Sequence, residues 1–234
     1  YDSCGILRDD SVRCWGDNSL GAGNDGSFIS HVLPNLEVLG FPMEPVQVRA
    51  GEYHSCSLMS TGQIKCWGYD LSGQLGDDSA TSGVNRRPRF VSGITNATSV
   101  SAGVDHTCAT LVTGQVKCWG NMNGGTGYPL GSGAAGASYT PVTVSGITTA
   151  RDAVAANGSS CAILRSGEVK CWGYNFSNQL GDGTSTNSLV PVTVSAITNA
   201  LVLGNTRAET YCAVQKDGIA KCWGDNSYAH IAST

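Results

Sequence analysis

Hydrophobic and polar positions alternate with period two over short stretches of this chain, and no stretch carries a helical period. The clearest stretch is HSCSLMSTGQIKCWG at residues 54–68. We read it as two antiparallel strands joined by Ser60-Thr61-Gly62, with glycine in the left-handed position that three-residue loops favour. Leu58 then faces Ile64 and Cys56 faces Cys66. Side chains alternate between the faces of a strand, so Cys56, Leu58, Ile64 and Cys66 share one face, and Lys65 and Trp67 share the other. Opposed residues lie about 4.5–5.5 Å apart at Cα, inside the range of about 4.4–6.8 Å that a disulfide bridges. The pattern predicts a cross-strand disulfide within one hairpin.

The same arrangement recurs four more times. It pairs Cys4 with Cys14, Cys108 with Cys118, Cys161 with Cys171 and Cys212 with Cys222. The aliphatic pair recurs as Ile6 with Val12, Ile163 with Val169 and, more weakly, Thr110 with Val116 and Val214 with Ala220. The turn glycine recurs as Gly114, Gly167 and Gly218, while the first copy has Asp10. A tryptophan follows each second cysteine: Trp15, Trp67, Trp119, Trp172 and Trp223. Opposite it stands a small residue in four copies (Ser3, Ser55, Thr107, Ser160) and Tyr211 in the fifth. A basic residue precedes each second cysteine: Arg13, Lys65, Lys117, Lys170 and Lys221.

The first cysteines fall at 4, 56, 108, 161 and 212, a spacing of 51–53 residues. Periods of this size mark solenoids, propellers or arrays. A second pattern fills the spaces between hairpins, clearest in TPVTVSGITTARDAVAANG: a proline, a β run, Gly-Ile, an alanine and another β run. Each repeat therefore holds about four short strands, the pattern of a propeller blade. The expected fold is all-β: one propeller domain over 1–234, with repeats near 1–51, 52–103, 104–156 and 157–207 and a partial one at 208–234. In a propeller, neighbours cover both faces of most blades. One hairpin face would then carry the disulfide, and the other a tryptophan over a small residue, with room for the indole against the next blade. Five hairpins but four linkers leave three options for the ring: an irregular five-bladed closure, part of a larger propeller, or completion by a partner chain. Exposed strand edges invite such pairing.

Composition narrows the setting. All ten cysteines fall in one repeated spacing, which reads as a disulfide framework, and such frameworks persist in oxidising compartments. The expected location is extracellular or at a cell surface. No signal peptide is visible, so a processed chain or a fragment is expected. No apolar run is long enough for a membrane span. A net charge of −4 without a basic cluster argues against nucleic acid.

The run AGxxHxC…GQxKCWGxxxxGQLGD, carried by residues 102–120 and 62–77, resembles the regulator of chromosome condensation repeat. It is most similar to the cysteine-paired form of secreted and surface proteins. The resemblance implies a propeller. For function it implies a wide choice: exchange factors for small GTPases, chromatin binders, secreted β-lactamase inhibitory proteins or surface modules.

Each candidate chemistry has a plainer reading beside it. The tryptophan set could stack sugars, but its place in the motif fits packing between blades. The basic column could bind anions, but its aliphatic stems are expected beside the tryptophans with charged heads in solvent. The Asp/Asn/Gly loops at 77–78, 182–184 and 17–26 lack the spaced acids and closing glutamate of an EF-hand, so calcium is not expected. No cofactor is expected. No nucleophile motif, P-loop or metalloprotease helix is present, so an enzyme is not expected either. Three sequons, at Asn96, Asn157 and Asn175, are candidate glycosylation sites. The long loops after each Cys-Trp-Gly vary most and carry the candidate binding residues Phe28, Tyr69, Tyr128, Tyr139, Tyr174 and Phe176. The expected function is a structural or protein-interaction module within a larger surface or filamentous assembly. The alternative is a soluble inhibitor or lectin-like module acting through the same loops.

Overall fold

The computed structural model describes residues 2–16, 18, 31–38, 44–79, 83–120, 128–205 and 209–227. Among the described residues the chain is all-β, built from five antiparallel sheets that pack as blades. Blade 1 holds β1 (Asp2–Ile6), β2 (Val12–Gly16) and β3 (His31–Glu37). Blade 2 holds β4 (Pro45–Ala50), β5 (His54–Met59), β6 (Ile64–Tyr69) and β7 (Val84–Phe90). Blade 3 holds β8 (Ala97–Ala102), β9 (His106–Leu111), β10 (Val116–Gly120) and β11 (Ser138–Thr143). Blade 4 holds β12 (Ala150–Ala155), β13 (Ser159–Leu164), β14 (Val169–Gly173) and β15 (Ser188–Thr193). Blade 5 holds β16 (Ala200–Asn205), β17 (Thr210–Gln215) and β18 (Ala220–Gly224). Each full sheet begins one strand before its hairpin, so blades are offset from the sequence repeats.

The hairpin register is the one the alternation requires. Cys56 pairs with Cys66, Leu58 with Ile64 and Ser55 with Trp67. The loop closes through hydrogen bonds from Met59 N to Gln63 O and from Gly62 N to Met59 O, with Gly62 at φ 81°. Asp10 takes the same left-handed conformation in blade 1, at φ 62°.

Five disulfides form, one per repeat. Cys4 is bonded to Cys14 in blade 1 and Cys56 to Cys66 in blade 2. Cys108 is bonded to Cys118 in blade 3, Cys161 to Cys171 in blade 4 and Cys212 to Cys222 in blade 5. Their Cα atoms stand 4.0–4.1 Å apart, closer than the spacing expected from the sequence. Ladder alternation accounts for part of the difference. Met59 and Gln63 form a hydrogen-bonded pair, so Cys56 and Cys66, three steps along, form one of the closer, non-hydrogen-bonded kind. Cys14, Cys66, Cys118 and Cys171 are buried, whereas Cys222, on the last strand of blade 5, is half-buried.

The core lies between blades. The first hairpin strand of one blade packs on the inner strand of the following one: β1 on β4, β5 on β8, β9 on β12 and β13 on β16. The disulfide and aliphatic face of blade 2 (Cys56, Leu58, Ile64, Cys66) receives Val100, Ala109 and Trp119 of blade 3. That of blade 3, with Cys108 and Cys118, receives Trp172. That of blade 4, with Cys161 and Cys171, receives Tyr211 and Trp223. Trp67, Trp119, Trp172 and Trp223 thus each lie on the disulfide of the preceding blade, the reverse of the direction expected from the sequence. Alternation specifies a face and carries no sign for the order of neighbours. On blade 5 the equivalent disulfide face exposes Val202 and Val214, at 59% and 40%.

One member of the basic column, expected to hold its charged head in solvent, is buried. Lys65 is 6% exposed, and its ammonium sits 4.5 Å over the Phe90 ring of the same blade. Burial holds its pKa below the usual lysine value. Lys221 donates to the Ala196 carbonyl at 3.2 Å.

Candidate functional site

The joints between blades 2 and 3, 3 and 4, and 4 and 5 each have a socket made by a residue triplet ending in Leu-Gly, at 74–76, 129–131 and 179–181. The Trp119 indole N–H donates to the Gln74 carbonyl at 2.9 Å, Trp172 to Pro129 at 2.8 Å and Trp223 to Gln179 at 3.1 Å. Leu75, Leu130 and Leu180 are buried beneath. The glycine that follows must be bare: a Cβ at Gly76 would stand 2.5 Å from the Trp119 indole nitrogen. Trp67, Trp119 and Trp172 have no exposed surface, while Trp15 and Trp223 are half-buried.

A second contact crosses the same joints. His54 meets the Thr107 hydroxyl through Nε2 at 2.7 Å, and His106 meets Ser160 likewise at 2.7 Å. Thr107 and Ser160 spend their own protons on the Gln74 and Pro129 carbonyls. Each histidine must therefore donate from Nε2, which fixes the neutral tautomer. Its Nδ1 has no partner among the described residues. Burial pushes both pKa values down to about 3, and for His54 the neighbouring His106 adds to the effect. At the next joint the pair is exchanged. Ser159 stands where the histidines do, and its hydroxyl meets the Tyr211 phenol at 2.8 Å. Gln179 Nε2 adds a bond to Glu209 at 2.7 Å.

The loops after β6 and β14 are built on buried polar residues at one shared position. Asp70 accepts from Leu75 N at 3.1 Å and from Asn85 Nδ2 at 3.3 Å. Asn175 accepts from Leu180 N at 2.9 Å, and its Nδ2 donates to Asp182 Oδ1 and to the Thr184 and Thr186 carbonyls. Asn175, one of the candidate glycosylation residues, has no exposed surface, and its amide N–H groups are committed inside the loop. Asp70 lacks those donors, and burial pushes its pKa up to about 7.

The candidate binding residues fall into three groups. Phe28 and the Tyr128 side chain lie outside the described residues. Tyr139 is half-buried and packs across the joint: a Cβ at Gly73 would come within 2.7 Å of its ring, and Asp78 N donates to the Tyr139 carbonyl. Tyr69 and Tyr174 lie at one end of the blades. Tyr69 packs edge-on against Tyr53, centroids 5.9 Å apart. Tyr174 stacks on Phe176 at 6.0 Å, and Phe176 is 77% exposed. Tyr69 N donates to Tyr53 O, and Tyr174 N to Gly158 O. These bonds place both loops beside the turns that follow β4 and β12.

The same turns border a central cavity of about 350 Å³. Its walls are the inner strands of blades 2–5, with Gln47, Arg49, Glu52, Ser101 and Asn205 as polar lining. Several of these residues also tie blades together. Gln47 accepts from Val100 N at 2.9 Å, Ser101 accepts from Ala155 N at 3.0 Å, and Asn205 Nδ2 donates to the Ala155 carbonyl at 3.0 Å. Among the described residues no group of three or more His, Cys, Asp or Glu comes together. The acidic loop residues close their own turns, Asp77 on Ser79 and Asp182 on Thr184. What the arrangement offers is a face with a polar central cavity, ringed by loops of differing sequence on near-identical joints.

Among known proteins, models of the regulator of chromosome condensation (RCC1) repeat match residues 46–74, 97–125 and 61–110. The ultraviolet-B receptor UVR8 of Arabidopsis thaliana is 33% identical over 202 residues, which covers 83% of this chain and 44% of the relative. The chain spans less than half the length of the curated relatives it matches first. Human WBSCR16 superposes with a TM-score of 0.82 at 22% identity, covering 96% of this chain and 60% of that one. Yeast RCC1 (Prp20) bound to Kap60 superposes at 0.77 with 18% identity, covering 95% of this chain and 54% of the other.

Proposed function

We propose, from the premise that the chain belongs to the regulator of chromosome condensation repeat family, that it is an extracellular protein-interaction module within a larger surface or filamentous assembly. The observation that carries this reading is the exposed Tyr174–Phe176 stack. It stands on a loop whose buried half is fixed by Asn175 and whose neighbours border the central cavity. An aromatic held out from a rigid scaffold supplies contact area at low entropic cost. The oxidised cysteine pairs support an extracellular setting. Yeast RCC1, which shares this fold, is bound to a protein, Kap60, in its structure, which supports a protein as the ligand class here.

Isolating the protein from its native source without reductant and mapping its contacts by cross-linking mass spectrometry tests the reading. Cross-links from the loops at 69–79 and 174–187 to another chain in a high-mass assembly are expected. A stable monomer with no such cross-links would overturn it in favour of a soluble inhibitor or lectin-like module, which a β-lactamase panel and a glycan array would then separate.

A further inference from the structure

We infer that Asn96 and Asn157 are acceptors for N-linked glycan and that Asn175 is not; the inference rests on the extracellular reading above. The three share one motif, Asn-x-Ser/Thr, and the fold separates them. Asn96 and Thr98 are both exposed where the chain enters β8. Asn157 is exposed at the turn after β12, where Ala156 N bonds Ser159 O. Asn175 is sealed inside its loop with its amide nitrogen within hydrogen-bond distance of four oxygens.

The chemistry places a further condition on each site. The amide nitrogen Nδ2 forms a bond to the anomeric carbon of an oligosaccharide carried on a polyprenyl pyrophosphate. The bond from that carbon to the pyrophosphate oxygen breaks, the lipid pyrophosphate leaves with the electron pair, and the amide proton is lost to the transferring enzyme. Nδ2 must therefore be reachable, and the hydroxyl two residues on must be free to sit against the enzyme. Thr98 is at the surface and donates to the Thr110 carbonyl at 3.2 Å. Ser159 is fully buried and bonded to Tyr211. Transfer to Asn157 must then precede docking of blade 5 on blade 4, which brings Tyr211 from 52 residues further along the chain, whereas the Asn175 loop closes on partners no more than 12 residues away and Asn96 stays accessible after folding. Asn96 should be the more fully occupied. The two sugars would stand at opposite ends of the blades, Asn157 beside Tyr174 and the cavity mouth.

Translation of the full chain behind a cleavable secretion signal into microsomes supplies the donor directly. Intact mass and peptide mapping, after enzymatic deglycosylation in heavy-oxygen water, then read each site. Two mass increments are expected, one lost in Asn96→Gln and the other in Asn157→Gln, with label at 96 and 157, none at 175, and 96 the more complete. No increment, label at 175, or occupancy of only one site would overturn the assignment. The native compartment does not enter that experiment. A native protein bearing no glycan, from a source whose secreted proteins carry it, would count against the extracellular reading alone.

Discussion

The joints between blades 2 and 3 and between blades 3 and 4 differ from the joint between blades 4 and 5 in one exchange. In the first two, a large histidine reaches across to a small hydroxyl, His54 to Thr107 and His106 to Ser160. In the third, a small serine meets a large phenol, Ser159 to Tyr211. Each joint keeps one buried hydrogen bond and about one ring of volume, and differs in which blade supplies the ring. The repeat is therefore preserved at the level of the pair. This explains why Tyr211 stands where the other copies have Ser or Thr: its partner gave up the histidine. Close packing makes such compensation necessary, because an unfilled ring-sized gap is costly.

The largest effect should come from the tryptophan shared by all three joints. Trp119→Ala and Trp172→Ala should each lose roughly 3–5 kcal/mol of stability in denaturant titration. Trp223→Ala should lose less, since blade 5 leaves that ring half-exposed. Equal losses at all three would show that burial does not set the contribution.

Acid should separate the joints next. His54 and His106 titrate at about 3 in the fold and near 6.5 when unfolded. Below that value the unfolded chain binds more protons, so their contribution is complete above pH 6.5 and is lost as pH falls towards 3. At pH 5 the loss should reach about 2 kcal/mol per histidine. The double variant His54→Gln with His106→Gln should be weaker at pH 7 and nearly flat between pH 7 and about 5. A variant with the wild-type slope would place the proton uptake elsewhere.

Swapping the pair sharpens the comparison. Tyr211→Ser should cost roughly 2–4 kcal/mol, and adding Ser159→His should recover part of it, with a coupling of roughly 0.5–3 kcal/mol. A second substitution that adds its own loss would mean that the pair is not exchangeable in this backbone.

The smallest effect lies in the loops. Asp70, at about 7 in the fold against an ordinary value near 4, binds more protons folded than unfolded. Its loop therefore loses stability as pH rises from about 4 to 7. Asp70→Asn, which copies Asn175, should gain about 1 kcal/mol at pH 8 and little at pH 4. No gain at pH 8 would mean that Asn85 already offsets the buried charge.

Much of the scaffold was legible in the alternation. The pairing of Cys56 with Cys66, the left-handed turn at Gly62 and the separation of disulfide and tryptophan faces all follow from strand geometry within fifteen residues. The same rule carried over to Cys14, Cys118, Cys171 and Cys222, each of which finds the cysteine ten positions before it. The candidate site was legible only in part. The loops after Cys-Trp-Gly were marked by their variability and aromatics, and Tyr174 with Phe176 do share the exposed face. Tyr139 looked the same in sequence but packs on the neighbouring loop. The sequon at Asn175 was indistinguishable by motif from those at Asn96 and Asn157. The recurrence of Asp70 and Asn175 at one position after their hairpins was the available signal that this residue holds the loop together.

The chain's own pattern decided the strands, their register, the disulfides and the repeat, because each depends on neighbours a few residues apart and on a strict period of two. Tertiary structure decided which blade each tryptophan leans on, that His54 and His106 are buried and neutral, and that Ser159 needs Tyr211. Those contacts join residues 52–54 positions apart. Whether a polar group at such a contact is a site or a strut depends on the partner that another blade brings to it.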